Sequence, residues 1–408
     1  MLIESIVRFT LGIKDHRVVF VEFSSNELRI TLDAKKRRKL PCSVCGKRHR
    51  PKDKLKERTW KHVSLWGIPV FLCYRPRRVQ CTEHGVRVED IPWSRGKKPL
   101  SFPLITVLAF WTRMLPWDQV AKLFNVSWNT VRTAVEAAVE YGRQREDYKG
   151  VRLIGIDEIS RKKGHTYHTN VYDLERKRLI WSGAHRDKDS LRRFFQWWGK
   201  ERTAAIEGVC CDMWQNYIDV IHEYCGEAVI VFDKFHIVRH LMNAIDEVRK
   251  MEAKALAEAG CEALKGTKYI WLKNPWNLTE RQEIRLSDLL KSNFKIVRAY
   301  LLKELFRSLW DYTSKTWAAK YLKRWFWWAT HSRLEPLRDF AWMLRRHEEG
   351  ILAYFDTRID NGIVEAMNNN AKAISHRARG YRSEITFSLA MIHALGKLQL
   401  PQCQHRFS

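Results

Sequence analysis

The sequence predicts an α/β protein: a mixed sheet carrying a large all-α insertion, preceded by a zinc ribbon and a helix-turn-helix. Three observations predict it. Short apolar runs between Val151 and Phe232 alternate with helical stretches, the pattern of a sheet with crossover helices. From roughly 236 to 356 the period is helical, with many Trp and basic residues. Before residue 100, two Cys/His pairs sit among strand-like alternation.

Composition narrows the function. The 408 residues carry 73 Lys+Arg against 46 Asp+Glu, a formal net charge of +27. With a pI near 9.8 and a mean hydropathy of −0.42, the chain points to a polyanionic partner, nucleic acid first, over a basic surface that is merely solvated. Aromatic content of 12%, including 18 Trp, excludes a disordered basic tail. No apolar run of about 18 residues is present, and no secretory signal is expected, so no membrane partner follows. The nine cysteines are odd in number and unevenly placed, with Cys210 and Cys211 adjacent in an apolar stretch. A metal site or buried thiols are expected rather than disulfides, in a bacterial cytoplasmic protein.

Residues 1–98 read as a basic, β-rich zinc-ribbon domain. The first hundred residues hold 24 basic and 10 acidic residues, and the run Lys35–Lys39 leads directly into Pro41-Cys42. Val19, Val21 and Phe23, then Leu28, Ile30 and Leu32, alternate with polar residues as a hairpin turning at Ser24-Ser25-Asn26. Residues 68–80 read as one further strand. Cys42-x-x-Cys45-Gly46 and Cys81-x-x-His84-Gly85 form two knuckles that can close one tetrahedral S₃N site. Four protein ligands make such a zinc structural. Free thiols in a basic arm are the alternative, and Cys73 or His62 could replace a ligand.

Residues 99–149 read as a helix-turn-helix DNA-binding domain. Trp117–Phe124 forms one short helix, Asn125-Val126 breaks it, and Ser127 caps the next. Val120, Ala121, Phe124, Val126 and Val131 supply the small core, leaving Trp128, Asn129 and Arg132 for the groove. An ordinary helical hairpin would read the same way.

Residues 150–235 read as the first part of a catalytic core, 236–356 as a helical insertion domain, and 357–408 as the final part of the core. Strands are expected over Val151–Asp157, Tyr167–Tyr172, Leu179–Ala184, 206–211 and 228–232. Two of these buried strands end on Asp157 and Asp212, and a helix near Asn361 carries Glu365 one turn inside it. Each acid alone could be a cap or a surface residue. Together they are costly to bury unless divalent metals neutralise them. Two Mg²⁺ about 3.5–4 Å apart can activate a water and stabilise a leaving 3′ oxygen. Asp233 is a fourth strand-end acid beside His236, either near those metals or capping the following helix.

The segments Gly155–Ser160, Cys211–Trp214, Phe232–Val238, Asn361–Asn369 and Ala371–Arg382 resemble those of DDE transposases of bacterial insertion sequences, specifically the ISL group. The resemblance covers most of the chain in order. It implies an RNase H-like catalytic domain behind a zinc ribbon and a helix-turn-helix, with Asp157, Asp212 and Glu365 as the DDE triad. His84, where a ribbon cysteine is common, is a departure that zinc tolerates. The implied activity is binding of terminal inverted repeats, Mg²⁺- or Mn²⁺-dependent strand cleavage, and transfer of the freed 3′-OH to target DNA. The implied partners are double-stranded DNA and a second copy of the chain, with no small-molecule substrate. Candidate DNA contacts are Lys36, Arg37 and Arg38; Trp128, Asn129 and Arg132; and Arg377, Arg379 and Arg382.

The insertion carries Trp271, Trp276, Trp310, Trp317, Trp325, Trp327, Trp328 and Trp342. Trp325–Trp328, beside Lys323 and Arg324, could stack on a distorted base or serve the core. Two other readings stand beside the transposase: a DNA-binding regulator derived from one, with its chemistry lost, and a RuvC-like nuclease. In the latter a zinc motif would interrupt the catalytic domain, whereas here both knuckles precede it.

Overall fold

The computed structural model describes residues 2–11, 13–24, 26–94, 96, 98–162, 166–359 and 362–401. Two compact units divide the chain: Met1–Asp147 with Ala371–Ser408, and Tyr148–Asn370.

The first unit opens with helix α1 (Leu2–Leu11) and strands β1 (His16–Ser24), β2 (Glu27–Ala34), β3 (Leu40–Pro41), β4 (Arg48–His49), β5 (Pro51–Lys54), β6 (Arg58–Leu65), β7 (Ile68–Tyr74), β8 (Arg77–Cys81) and β9 (Gly85–Val88). One sheet runs β1-β2-β7-β6. Its β1–β2 pair is the expected antiparallel hairpin, although Ser25 of the expected turn lies outside the described residues. Trp60, Tyr74 and Trp93, all nearly fully buried, meet edge-to-face in its core. The order β5-β8-β9 and the pair β3–β4 form the smaller sheets. The stretch 68–80 is therefore two strands in two sheets, not one. Pro76, which has no N–H for a ladder, separates them.

Helices α2 (Phe102–Met114), α3 (Trp117–Leu123) and α4 (Trp128–Arg143) follow. Ser101 and Ser127 cap α2 and α4, each accepting a backbone N–H at the third helical residue. Asn125 between α3 and α4 sits at φ +46°, the left-handed turn that an Asn tolerates. Val120 and Val131 are buried with Ala121, while Phe124 and Val126 are half-buried. Helix α16 (Glu384–Leu395) packs on α4 and α2. Arg113 donates to the carbonyls of His393 (3.2 Å) and Leu398 (2.6 Å). Residues from Ala371 onward group with Met1–Asp147, where α16 buries Phe387, Ala390 and Met391.

The second unit holds β10 (Leu153–Lys162), β11 (Thr166–Asp173), β12 (Arg178–Ala184), β13 (Gly208–Cys211) and β14 (Val229–Phe232) in the order β12-β11-β10-β13-β14. β10–β12 form an antiparallel meander, while β13 and β14 run parallel to β10. All five expected strands form, but β10 runs on to Lys162, so Asp157, expected at the end of its strand, lies in the middle of it, paired with Asn170. Helices α5 (Lys188–Trp198), α6 (Lys200–Ala204) and α7 (Gln215–Tyr224) make the crossovers. Then come α8 (Lys234–Glu258), α9 (Lys268–Leu272), α10 (Glu280–Leu290), α11 (Lys295–Arg307), α12 (Lys315–His331), α13 (Glu335–Arg346) and α14 (Glu348–Thr357). A single apolar cluster runs from Ile154 and Val209 of the sheet to Trp271, Trp325 and Phe340 of the helices. The helical stretch expected as a separate insertion domain therefore shares its core with the sheet. Helix α15 (Gly362–Arg377) starts in this unit. Asp360 and Asn361, expected to begin it, lie outside the described residues.

Candidate active site and metal centre

The register of the sheet brings three acids together, Asp157 from the middle of β10 and Asp212 and Asp233 from just past the ends of β13 and β14. Gly155 pairs with Cys210, so two more residues set Asp157 level with Asp212. Cys211 pairs with Phe232, so one more sets Asp212 level with Asp233, and the Asp233 N–H still donates to the Cys211 carbonyl at 3.0 Å. Three aspartates thus form a row across β10, β13 and β14, whose neighbours stand about 4.8 Å apart.

Each carboxylate is held at its own backbone. Asp157 Oδ1 accepts from the Glu158 N–H (2.7 Å) and Asp212 Oδ1 from the Met213 N–H (2.6 Å). Asp233 Oδ1 caps α8 through the Phe235 N–H (2.8 Å), while its Oδ2 meets His236 Nδ1 at 2.7 Å. The capping role is real, and Asp233 nevertheless acts on its neighbours. Burial raises the Asp157 carboxyl, and the Asp233 charge adds to that, against the Glu158 N–H, His236 and Asn368. Burial works against a charged His236, but the bond to Asp233 and the fields of Asp212, Asp233 and Asp157 push it up to about 9.

Helix α15 closes the site. Asn368 donates Nδ2–H to Asp157 Oδ2 at 2.5 Å, and its Oδ1 accepts from the buried Tyr172 hydroxyl. Glu365 lies one turn before Asn368 and is exposed; residues three apart share a helix face. Beside Asp157, Glu158 pairs with Arg186 at 2.9 Å, and Arg186 lies 4.6 Å from the Trp214 ring. Burial raises Glu158 to about 7, with the Asp157 and Asp212 charges adding to it. Sequence reasoning singled out neither Asn368 nor the Glu158–Arg186 pair. The only trace of Asn368 was an Asn run within the Glu365 segment.

A second group assembles in the first unit. The ligand atoms of Cys42, Cys45, Cys81 and His84 all lie within 4.8 Å of one another. Cys81 Sγ is 3.6 Å from Cys45 Sγ and 3.5 Å from His84 Nδ1. Gly46 and Gly85, each just after a knuckle, sit at φ +71° and +69°, where a Cβ would be strained. The N–H groups of Cys45 and Val44 hold the Cys42 thiol below its ordinary range, while, against the Lys47 N–H, burial and the neighbouring Cys81 and Cys42 sulfurs push Cys45 up. Lys47 and Glu83 pair across the two knuckles. The proposed substitutes are engaged elsewhere: buried His62 bonds Ser101 at 2.8 Å and Cys73 meets Thr59 at 3.8 Å.

The candidate DNA contacts vary in availability. Lys36, Arg37, Arg38, Asn129, Arg377, Arg379 and Arg382 are exposed. Trp128 is 39% exposed but leans on buried Trp117, and Arg132 is paired with Glu136 at 2.9 Å. Among the insertion tryptophans, Trp271, Trp310 and Trp325 are core. Trp325 donates to the Leu302 carbonyl and so is withdrawn from any base-stacking role.

Fold and site together define an α/β protein that gathers carboxylates from the middle of one central strand and the ends of the two strands beside it, and docks a further acid-bearing helix onto them. Residues 154–391 match the model of the ISL3 family of DDE transposases. The chain is 30% identical over 381 residues to the transposase for insertion sequence element IS1557 of Mycobacterium tuberculosis, covering 87% of this chain and 86% of that one. It is 29% identical over 352 residues to the transposase for insertion sequence element IS1001 of Bordetella parapertussis, covering 85% and 87%. The chain belongs to the ISL3 family of DDE transposases.

Proposed function

We propose that this transposase binds the terminal inverted repeats of an insertion sequence and catalyses metal-dependent strand cleavage followed by strand transfer, on an RNase H-like core. The observation that carries the reading is the Asn368–Asp157 hydrogen bond, which fastens the Glu365 helix to the row of aspartates on the sheet.

Asp157, Asp212 and Glu365 would hold two Mg²⁺ or Mn²⁺ ions. The donor set fits them: it offers oxygen only, and it crowds carboxylates where burial already raises Asp157. Ions bound there supply an activated water and charge stabilisation at the leaving oxygen. The chain's own residues fix the geometry. Asn368 orients the Asp157 carboxylate, and Asp233 with charged His236 braces the far end of the row. Water breaks a P–O3′ bond to release a 3′-OH, and that oxygen then forms a new P–O bond in target DNA, displacing a target 3′ oxygen.

Cys42, Cys45, Cys81 and His84 fit one structural Zn²⁺, since four ligands leave no open position. Lys36, Arg37, Arg38, Arg377, Arg379 and Arg382 grip phosphates, and α4 enters the major groove of the repeat through Asn129. Two copies bridge the element's ends in the bacterial cytoplasm.

With Mg²⁺ or Mn²⁺ the purified protein is expected to nick a duplex carrying its cognate terminal repeat. Asp157→Ala, Asp212→Ala and Glu365→Ala each reduce nicking to background while duplex binding persists in a gel-shift assay. Undiminished nicking by Asp212→Ala removes the triad assignment, and no nicking by the parent protein favours a regulator that has lost its chemistry.

A further inference from the structure

Helix α12 presents a face unlike any its apolar side explains. Ala318, Leu322, Trp325, Phe326 and Ala329 turn inward and are buried. On the outer side, Trp317, Lys320, Arg324, Trp327 and His331 recur at intervals of three, four, three and four residues, which places them in one stripe. All five are exposed, Trp317 by 60% and Trp327 by 59%.

The stripe is ordered by its own contacts. Lys320 Nζ lies 4.6 Å from the Trp317 ring, and the His331 ring stacks on Trp327 at 4.5 Å and 22°. One side of each indole is thus occupied while much of the ring stays in solvent. Neither Lys320 nor Arg324 makes an ion pair with a carboxylate among the described residues. Exposed indoles are costly in water unless something covers them, and uncompensated cations between them favour a polyanion.

We infer that this face of α12 binds single-stranded DNA, of the kind freed when a DNA end is opened. Bases stack on the open sides of Trp317 and Trp327, and the cations between them track the phosphates. At 1.5 Å per residue the two indoles stand about 15 Å apart along the helix, the length of roughly four to five stacked nucleotides at about 3.4 Å each. Paired bases in a duplex offer no face to an indole, so the surface selects an unpaired strand. The inference deepens the transposase reading above and rests on it for the source of that strand.

The test uses the full-length protein, a labelled eight-nucleotide single strand and a labelled duplex, with affinities read by fluorescence anisotropy at fixed salt. Trp317→Ala and Trp327→Ala are each expected to weaken single-strand binding by about 5- to 150-fold while leaving duplex binding within twofold. Phenylalanine at both positions retains most of the affinity, because a stacking face remains. The Lys320→Gln, Arg324→Gln pair lowers the slope of log K against log salt by about 1.4. Unchanged single-strand affinity in the double alanine variant overturns the inference, as does an equal loss for duplex. The nicking assay separates the two claims. Loss of single-strand binding in a protein whose parent never nicks leaves the surface standing and removes the transposase reading. Intact single-strand binding in a double alanine variant of a nicking parent removes the surface alone.

Discussion

Asn368 ties helix α15 to the sheet through a single side chain. Its amide spans two groups, donating to Asp157 Oδ2 and accepting from Tyr172. Alanine there frees the carboxylate to rotate and leaves a buried hydroxyl without its acceptor, which costs about 1–3 kcal/mol. Asn368→Ala is therefore expected to slow nicking by about 10- to 100-fold, the usual penalty for losing a group that orients a metal ligand. Repeat binding should be unchanged. A slower rate with equal affinity checks the assignment, and parallel losses of both would mean that the residue serves only folding. Nothing local in the sequence marks this role. Asn368 and Asp157 are 211 positions apart, and only the docking of α15 makes them partners. Asp157 and Asp212 stood out for the opposite reason, since an acid ending an apolar run is visible in the sequence itself, although β10 continues past Asp157 to Lys162. Glu158 was overshadowed by its neighbour, because its ion pair with Arg186 comes from a different segment.

At the scale of elements, motifs with short spacing were readable and long-range packing was not. The two knuckles declare themselves through fixed spacing and a following glycine, and Ser127 declares its helix start through the cap. The home of α16 depends on which apolar face it meets across the chain, which periodicity does not encode. The same contrast governs stability. The core beneath the knuckles consists of Ala34, Leu40, Cys42, Val79 and Cys81, with Cys45 partly buried against it. So small a core does not hold short strands without a staple. Stripping metal with a strong chelator is expected to release one zinc per chain, measured by elemental analysis. Amide protection should then be lost over 40–54 and 77–88 while β10 and β13 stay protected. Persistent protection in zinc-free protein would show that the strands stand on their own packing.

Across the whole molecule, buried histidines give both units an acid limit. His62 and His393 in the first unit and His168 in the second are buried, and burial holds each down to about 4 from an ordinary 6.5. The folded chain keeps these rings neutral while the unfolded chain protonates them below 6.5. The unfolded state therefore binds more protons between pH 6.5 and 4, and stability falls as pH falls through that window. Each shift corresponds to on the order of 3 kcal/mol at its limit, of which about 2 kcal/mol is lost by pH 5. His236 has the opposite sign. Raised to about 9 by Asp233 and its neighbours, it contributes stability that is complete below 6.5 and disappears only as pH rises through 9. Acid thus weakens the packing of both units while leaving the Asp233–His236 brace intact. Calorimetry on protein without added divalent ions should show Tm falling between pH 7.5 and pH 5 by several degrees per histidine. His393→Gln should flatten that fall without removing it, because His62 and His168 remain. A Tm that stays level across this range would mean that the rings are reached by water and protonate without cost.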